Sequence, residues 1–307
     1  MRYPHASMNP APQGPRTAGN GPSPYFSSAL GLFGGLILWQ LANAVLLPQL
    51  LQGHLGAPAG QDGSYTKEQL EAAMQALAAT PTGPLAIVLP GQLVFVLIAC
   101  VLGFLSREAF LDRLALRKPA VGFIPIVLVL VGMVGMQLGM SALQDTFGLT
   151  SEYFDFLRQL LVDAERAPAA SLVILLALLP AFCQELFFRG LVQSRLVAVW
   201  PAGAAVLLTA TVWSLVHVDA SRVLAALPIG IYLGIVAWKS ASTWVAMLAA
   251  AVNYLTMLFL APHMSTVGAG GFVLVCVLLG AGVMGIFALI RSQAAQAAEK
   301  RVLETLK

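Results

Sequence analysis

Apolar stretches long enough, or nearly so, to cross the ~30 Å hydrocarbon core of a bilayer recur along this chain at 27–51, 85–105, 121–143, 168–190, 201–218, 221–238, 241–262 and 269–291. Inside a bilayer a segment must satisfy its own backbone hydrogen bonds, and a continuous apolar run of this length does so as a helix. The chain is therefore expected to be all-α, a polytopic membrane bundle of about eight transmembrane helices. Composition agrees: 58% of the 307 residues are hydrophobic and 10% are charged, against about a quarter charged in soluble domains. The turn between the fifth and sixth stretches is very short and holds Asp219 and Arg222. Ala42-Asn43-Ala44 resembles a signal-peptide cleavage site, but the apolar run continues to Leu51, which reads as an uncleaved anchor.

Charge orients the bundle. A net charge of +3 and the lack of a basic, aromatic-interleaved patch argue against nucleic acid as a partner. Starting with the N-terminus inside, thirteen of the seventeen basic residues fall on inner segments, leaving Lys67, Arg158, Arg166 and Arg222 outside. Because basic residues stay on the cytoplasmic side, both termini are expected in the cytoplasm of a bacterial inner-membrane protein. Residues 1–25 are rich in Pro, Gly, Ser and Asn and lack periodicity, which predicts a disordered cytoplasmic tail. Two surface helices are expected in outer loops. Thr66 followed by Gln69 forms a capping box opening TKEQLEAAMQAL, and Tyr153, Leu157, Leu160 and Leu161 share one helical face. The C-terminal SQAAQAAEKRVLETLK reads as a short amphipathic cap. No internal repeat suggests a transporter's inverted halves.

Chemistry enters where polar groups enter the apolar stretches, since each ionisable residue there costs roughly 2.5–3.5 kcal/mol to insert. Glu185 and Arg189 are spaced i, i+4, which places carboxylate and guanidinium on one helix face. Trp200-Pro201-Ala202-Gly203 reads as the turn to the next helix, with Glu185 sixteen residues before Pro201 and His217 sixteen after it. Both should then lie at one depth, provided the fourth helix runs on past Gly190. Asn253 is a fourth polar group, on the seventh helix, suited either to interhelical hydrogen bonding or to holding a substrate carbonyl or oxyanion. An ion pair that only makes insertion tolerable is the alternative reading of Glu185 and Arg189. Cys100, Cys183 and Cys276 lie in apolar runs without CxxC spacing, which argues against disulfides or a zinc knuckle. Neither HExxH nor GxSxG occurs. No cofactor and no metal is expected.

These residues carry a resemblance. QELFFRG (184–190), WSLVH (213–217) and AAAVN (249–253) resemble, in order, the E-E-x-x-x-R, F-x-x-x-H and H-x-x-x-N motifs of the CAAX-protease and bacteriocin-processing family, which includes the type II CAAX prenyl endopeptidases. LALRKP at 114–119 resembles that family's basic pre-helix stretch. The resemblance spans roughly 106–262, which reads as an intramembrane protease core. It follows two N-terminal helices and an external loop (26–105) and precedes a final helix and cytoplasmic tail (263–307).

The resemblance implies hydrolysis of a membrane-anchored or C-terminal peptide, with Glu185, Arg189, His217 and Asn253 as the catalytic set. It also marks two departures: Gln184 stands where the family has its first Glu, and Ala249 where it has its second His. An amide cannot act as a base at neutral pH, and a methyl group offers no hydrogen bond. Glu185 displaced into the role of base, Cys183 as a nucleophile activated by His217, and a protein partner completing the site are the repairs considered. The reading is thus an endopeptidase-like membrane enzyme, with a catalytically inactive peptide-binding or scaffold relative as the alternative.

Overall fold

The computed structural model describes residues 31, 34–41, 45, 49, 51, 52, 54, 55, 65–78, 80, 83–106, 108–149, 173–217, 219–261 and 268–305. Every regular element with full bounds among them is helical: α1 (Lys67–Ala78), α2 (Gly83–Phe104), the single turn α3 (Phe110–Arg113), α4 (Phe123–Thr146), α5 (Ile174–Val199), α6 (Ala202–Leu215), α7 (Ala220–Ser240), α8 (Thr243–Leu260) and α9 (Gly268–Thr305). Residues 34–41 are also helical. Among the described residues six helices, namely α2, α4, α5, α7, α8 and α9, are long and apolar enough to cross a membrane. α6 matches the fifth expected stretch but has 14 residues, about 21 Å at 1.5 Å per residue. It is shorter than a full crossing. The expected tail at 1–25 and surface helix around 153–161 lie outside the described residues, as does part of the first stretch, 27–51.

Local signals explain several boundaries. The Thr66 backbone N–H donates to Gln69 Oε1 at 2.9 Å and the Gln69 N–H to Thr66 Oγ1 at 3.3 Å, the reciprocal capping box that opens α1. α5 runs without interruption to Val199 and ends before Pro201, after which α6 starts at Ala202. It is not a uniform α-helix. Wider i+5 turns occupy Ile174–Leu178 and Leu186–Gln193, the first of them just ahead of Pro180, which has no N–H for the preceding turn. The expected separate C-terminal cap is corrected: α9 extends 38 residues through it as one helix. No Gly or Pro lies between Ile286 and Thr305, so nothing in the sequence stops it.

Packing is closest where side chains are smallest. A Cβ on Gly132 would lie 2.1 Å from Gly282 Cα, and one on Gly135 would lie 2.7 Å from Leu278 Cβ, so α4 and α9 approach backbone to backbone in antiparallel sense. Tyr232 of α7 donates to Val129 O of α4 at 2.7 Å. Between α2 and α5, the Phe95 ring packs at a tilt against Phe187 and Phe188 with centroids 5.1 and 5.5 Å apart. Large apolar side chains on the outer faces, such as Leu97, Phe272 and Val277, are exposed, as suits a lipid-facing surface.

The pre-helix segment is fixed between two helices. Thr243 donates its backbone N–H to Ala115 O at 2.9 Å and its hydroxyl to Leu114 O at 2.8 Å. Ser242 Oγ donates to Arg117 O at 2.7 Å. Ala115 adopts a left-handed φ of 49°, a conformation disfavoured for a residue with a Cβ that these hydrogen bonds hold in place.

Candidate functional site

Glu185 and Arg189 meet as their spacing predicts. Arg189 Nη1 donates to Glu185 Oε1 at 2.8 Å, and both side chains are essentially fully buried. Arg189 Nη2 donates across to Gly230 O of α7 at 3.0 Å. One turn on, Gln193 Nε2 donates to Gly234 O at 2.8 Å. The two bonds share one offset along both chains, so α5 and α7 lie parallel. Glycines at 230 and 234 permit this: a Cβ at Gly230 would lie 2.9 Å from Trp213 Cε3, and one at Gly234 would lie 2.8 Å from Gln193 Oε1. The Arg189 guanidinium also sits 5.0 Å from the centre of the Trp213 ring, a cation–π contact. Arg189 lies twelve residues before Pro201 and Trp213 twelve after it, so antiparallel pairing brings them level.

Beside this pair, within the bundle, is a cavity of about 320 Å³ whose wall includes Gln92, Gln137, Gln144, Gln184, His217, Asn253 and Tyr254. Glu185, Arg189, Cys183 and Ala249 are not among the residues lining it. Neighbouring residues on a helix point about 100° apart. Gln184 therefore faces the cavity while Glu185 turns into the packing behind it. Gln184 Oε1 accepts from Trp213 Nε1 at 2.8 Å and from the Tyr254 hydroxyl at 3.0 Å, which uses both lone pairs of the amide oxygen.

His217 is oriented by backbone. Its Nδ1 lies 3.2 Å from Trp213 O and 3.1 Å from Ser214 O. A carbonyl only accepts, so Nδ1 carries the hydrogen, and the neutral ring keeps its lone pair on Nε2. Trp213 packs edge-on against this ring at 5.0 Å. Asn253 is 5% exposed, and its Oδ1, like Gln92 Oε1, has no hydrogen-bond partner. Buried acceptors of this kind cost about 1–3 kcal/mol each when left unmade. Gln137 Nε2 donates to Ser141 Oγ at 3.2 Å and Gln144 Nε2 to Ser221 O at 3.2 Å.

The structure thus brings Gln184, His217 and Asn253 to one cavity and leaves Glu185 and Arg189 as a separate buried pair. Cys183 is 3% exposed and Ala249 fully buried. Among the described residues no group of three or more His, Cys, Asp or Glu converges as a metal would require. The sequence reading missed Gln92, Gln137, Gln144 and Tyr254. Gln92 and Gln137 were detectable as polar residues within apolar stretches, and Gln144 lies one residue past the end of the second of these.

Residues 166–256 match the family model described as type II CAAX prenyl endopeptidase Rce1-like. This segment resembles that family. The match covers all three polar motifs, on a chain whose described residues include six helices of membrane-crossing length. No curated protein and no solved structure matches the chain. Gln184 lies within the matched segment and on the cavity wall. Ala249, also within it, is enclosed in the core cluster.

Proposed function

We propose that this protein binds a peptide in the cavity between α2, α4, α5, α6, α7 and α8 and does not hydrolyse it by the family's carboxylate route. The observation that carries this reading is the cavity wall itself: among the described residues lining it there is no carboxylate. The residue in the first-Glu position is an amide with its oxygen already taken by two donors. General-base activation of water needs a group that can accept a proton near neutral pH, and Gln184 has none. Glu185 is held by Arg189 and faces away. The thiol of Cys183 likewise does not reach the cavity.

What remains on the wall suits recognition. The unpartnered acceptors Gln92 Oε1 and Asn253 Oδ1 can receive peptide N–H groups. The surrounding Ile87, Val88, Phe95, Leu176 and Ile229 supply apolar contact. This combination of few placed polar groups in an apolar pocket is how ligand sites are generally built. A second reading, hydrolysis with His217 as the base and Asn253 at the oxyanion, is favoured by the backbone-fixed orientation of His217.

Proteomics of membrane-protein C-termini separates them, comparing cells that carry the chain, lack it, or carry His217→Ala at matched abundance. Binding without hydrolysis predicts termini that do not depend on His217. A terminus generated only when His217 is present overturns the proposal.

A further inference from the structure

The cavity lies toward one end of the bundle, and the basic residues gather at the other. The helix positions establish the first point. The cavity is lined by Ile87 and Val88 near the start of α2, Leu175 and Leu176 at the start of α5, and Gln144 at the end of α4. Val216, His217 and Arg222 around the α6–α7 connection and Met257 at the end of α8 complete this end. Gln144 Nε2 donates to Ser221 O, which ties the end of α4 to that connection.

The opposite end is tied together just as firmly. Ala120 donates to Ser240 O and Thr243 to Ala115 O. Gln296 Nε2 donates to Ala120 O at 2.7 Å, and Arg195 pairs with Glu108. Arg113, Arg117, Lys118, Arg195, Lys239 and Arg291 all belong to segments at this end. The cavity end has Lys67 and Arg222 with Glu68, Glu71, Asp145 and Asp219.

Lys and Arg in short connections are retained on the cytoplasmic side of a membrane. We infer that the cavity faces the extracytoplasmic side, so that its ligand is a peptide segment presented from outside the membrane rather than a cytosolic C-terminal tail. This rests on the peptide-binding reading for the kind of ligand, but the placement stands on charge and geometry alone. At 1.5 Å per residue, the wall from Ile87 to Phe95 reaches from about 6 to about 18 Å below the start of α2. A ligand entering at the α6–α7 connection would therefore meet Arg222, near the start of α7, before reaching Gln184, Gln92 and Asn253.

The test uses the full chain with Cys100, Cys183 and Cys276 replaced by Ala and one cysteine added back at a time. A membrane-impermeant maleimide is applied to intact and to permeabilised cells. Ala220→Cys, exposed at the start of α7, and Val216→Cys, on the cavity wall, should label in intact cells. Leu116→Cys and Ala120→Cys should label only after permeabilisation. Labelling of Ala220→Cys only after permeabilisation overturns the placement. So does protection of Val216→Cys from both sides, because no aqueous path then reaches the cavity. Labelling reads neither binding nor cleavage, so a chain that labels as expected yet holds no peptide contradicts the functional reading and leaves the placement standing.

Discussion

The indole N–H of Trp213 donates to Gln184 Oε1 at 2.8 Å while the face of the same ring lies 5.0 Å from the Arg189 guanidinium. One side chain therefore joins the cavity wall to the buried ion pair behind it. Trp213→Phe removes the donor and keeps a ring for the cation, and should cost about 1 kcal/mol. Trp213→Ala removes both and leaves a void, and should cost about 3–5 kcal/mol. Thermal unfolding in detergent checks the ordering, and equal losses would mean that the hydrogen bond rather than the ring carries the contribution.

Breaking the ion pair from one side leaves an uncompensated charge in a fully buried position. Glu185→Gln or Arg189→Gln alone should destabilise the bundle by about 3 kcal/mol or more, and the double substitution by less than either. Unfolding of the four variants in one detergent gives the coupling. A double variant no milder than the singles would show that Arg189 serves α7 through Gly230 more than it serves Glu185.

Gly230 is the point where α7 approaches Trp213. In Gly230→Ala the new Cβ would lie 2.9 Å from Trp213 Cε3, so the ring must move and its hold on Gln184 and Arg189 weakens. A loss of about 1–3 kcal/mol is expected, together with a change in tryptophan fluorescence. Gly203, with nothing within 4 Å of such a Cβ, is the control. Gly203→Ala should be close to neutral.

Asp219 caps α7, accepting from the Arg222 backbone N–H at 2.9 Å and from the Ser221 hydroxyl. The Ser221 hydrogen bond is the largest effect and lowers its carboxyl below the usual value; burial opposes it, and the Arg222 N–H and charge add smaller lowering effects. A lowered folded-state value means that the stability it contributes is fully present above the unfolded value near 3.9 and fades as pH falls through the folded one. Asp219→Asn keeps an acceptor at the cap and should flatten that acid limb. Asp219→Ala should cost about 1 kcal/mol at neutral pH. A pH-stability profile of Asp219→Asn as steep as the native one would contradict this.

Much of the architecture could be read from residue spacing. The i, i+4 relation of Glu185 and Arg189 and the capping box at Thr66 and Gln69 depend only on local geometry, as does the turn at Trp200-Pro201, and each appears as expected. The cavity required more. Whether Gln184 or Glu185 faces it is a rotation of one residue, fixed by how α5 packs on α6 and α7. The glutamines at 92, 137 and 144 belong to two helices that meet α5 only through the tertiary fold. The continuity of α9 through Ile290 and Arg291 was hidden because composition changes there from apolar to polar while helix propensity does not.

The most direct test of the central claim is peptide hydrolysis by the purified chain in liposomes, measured for the native protein, His217→Ala, Gln184→Glu and Gln184→Glu with Ala249→His. A Glu at 184 would find the Trp213 and Tyr254 donors already in place, whereas an imidazole at 249 must enter a fully buried site, at about 1–3 kcal/mol. Binding without hydrolysis predicts no cleavage by the native chain or by His217→Ala. Cleavage of a membrane-anchored peptide is expected to appear first with Gln184→Glu. Cleavage by the native chain that His217→Ala abolishes in a still-folded protein would contradict it.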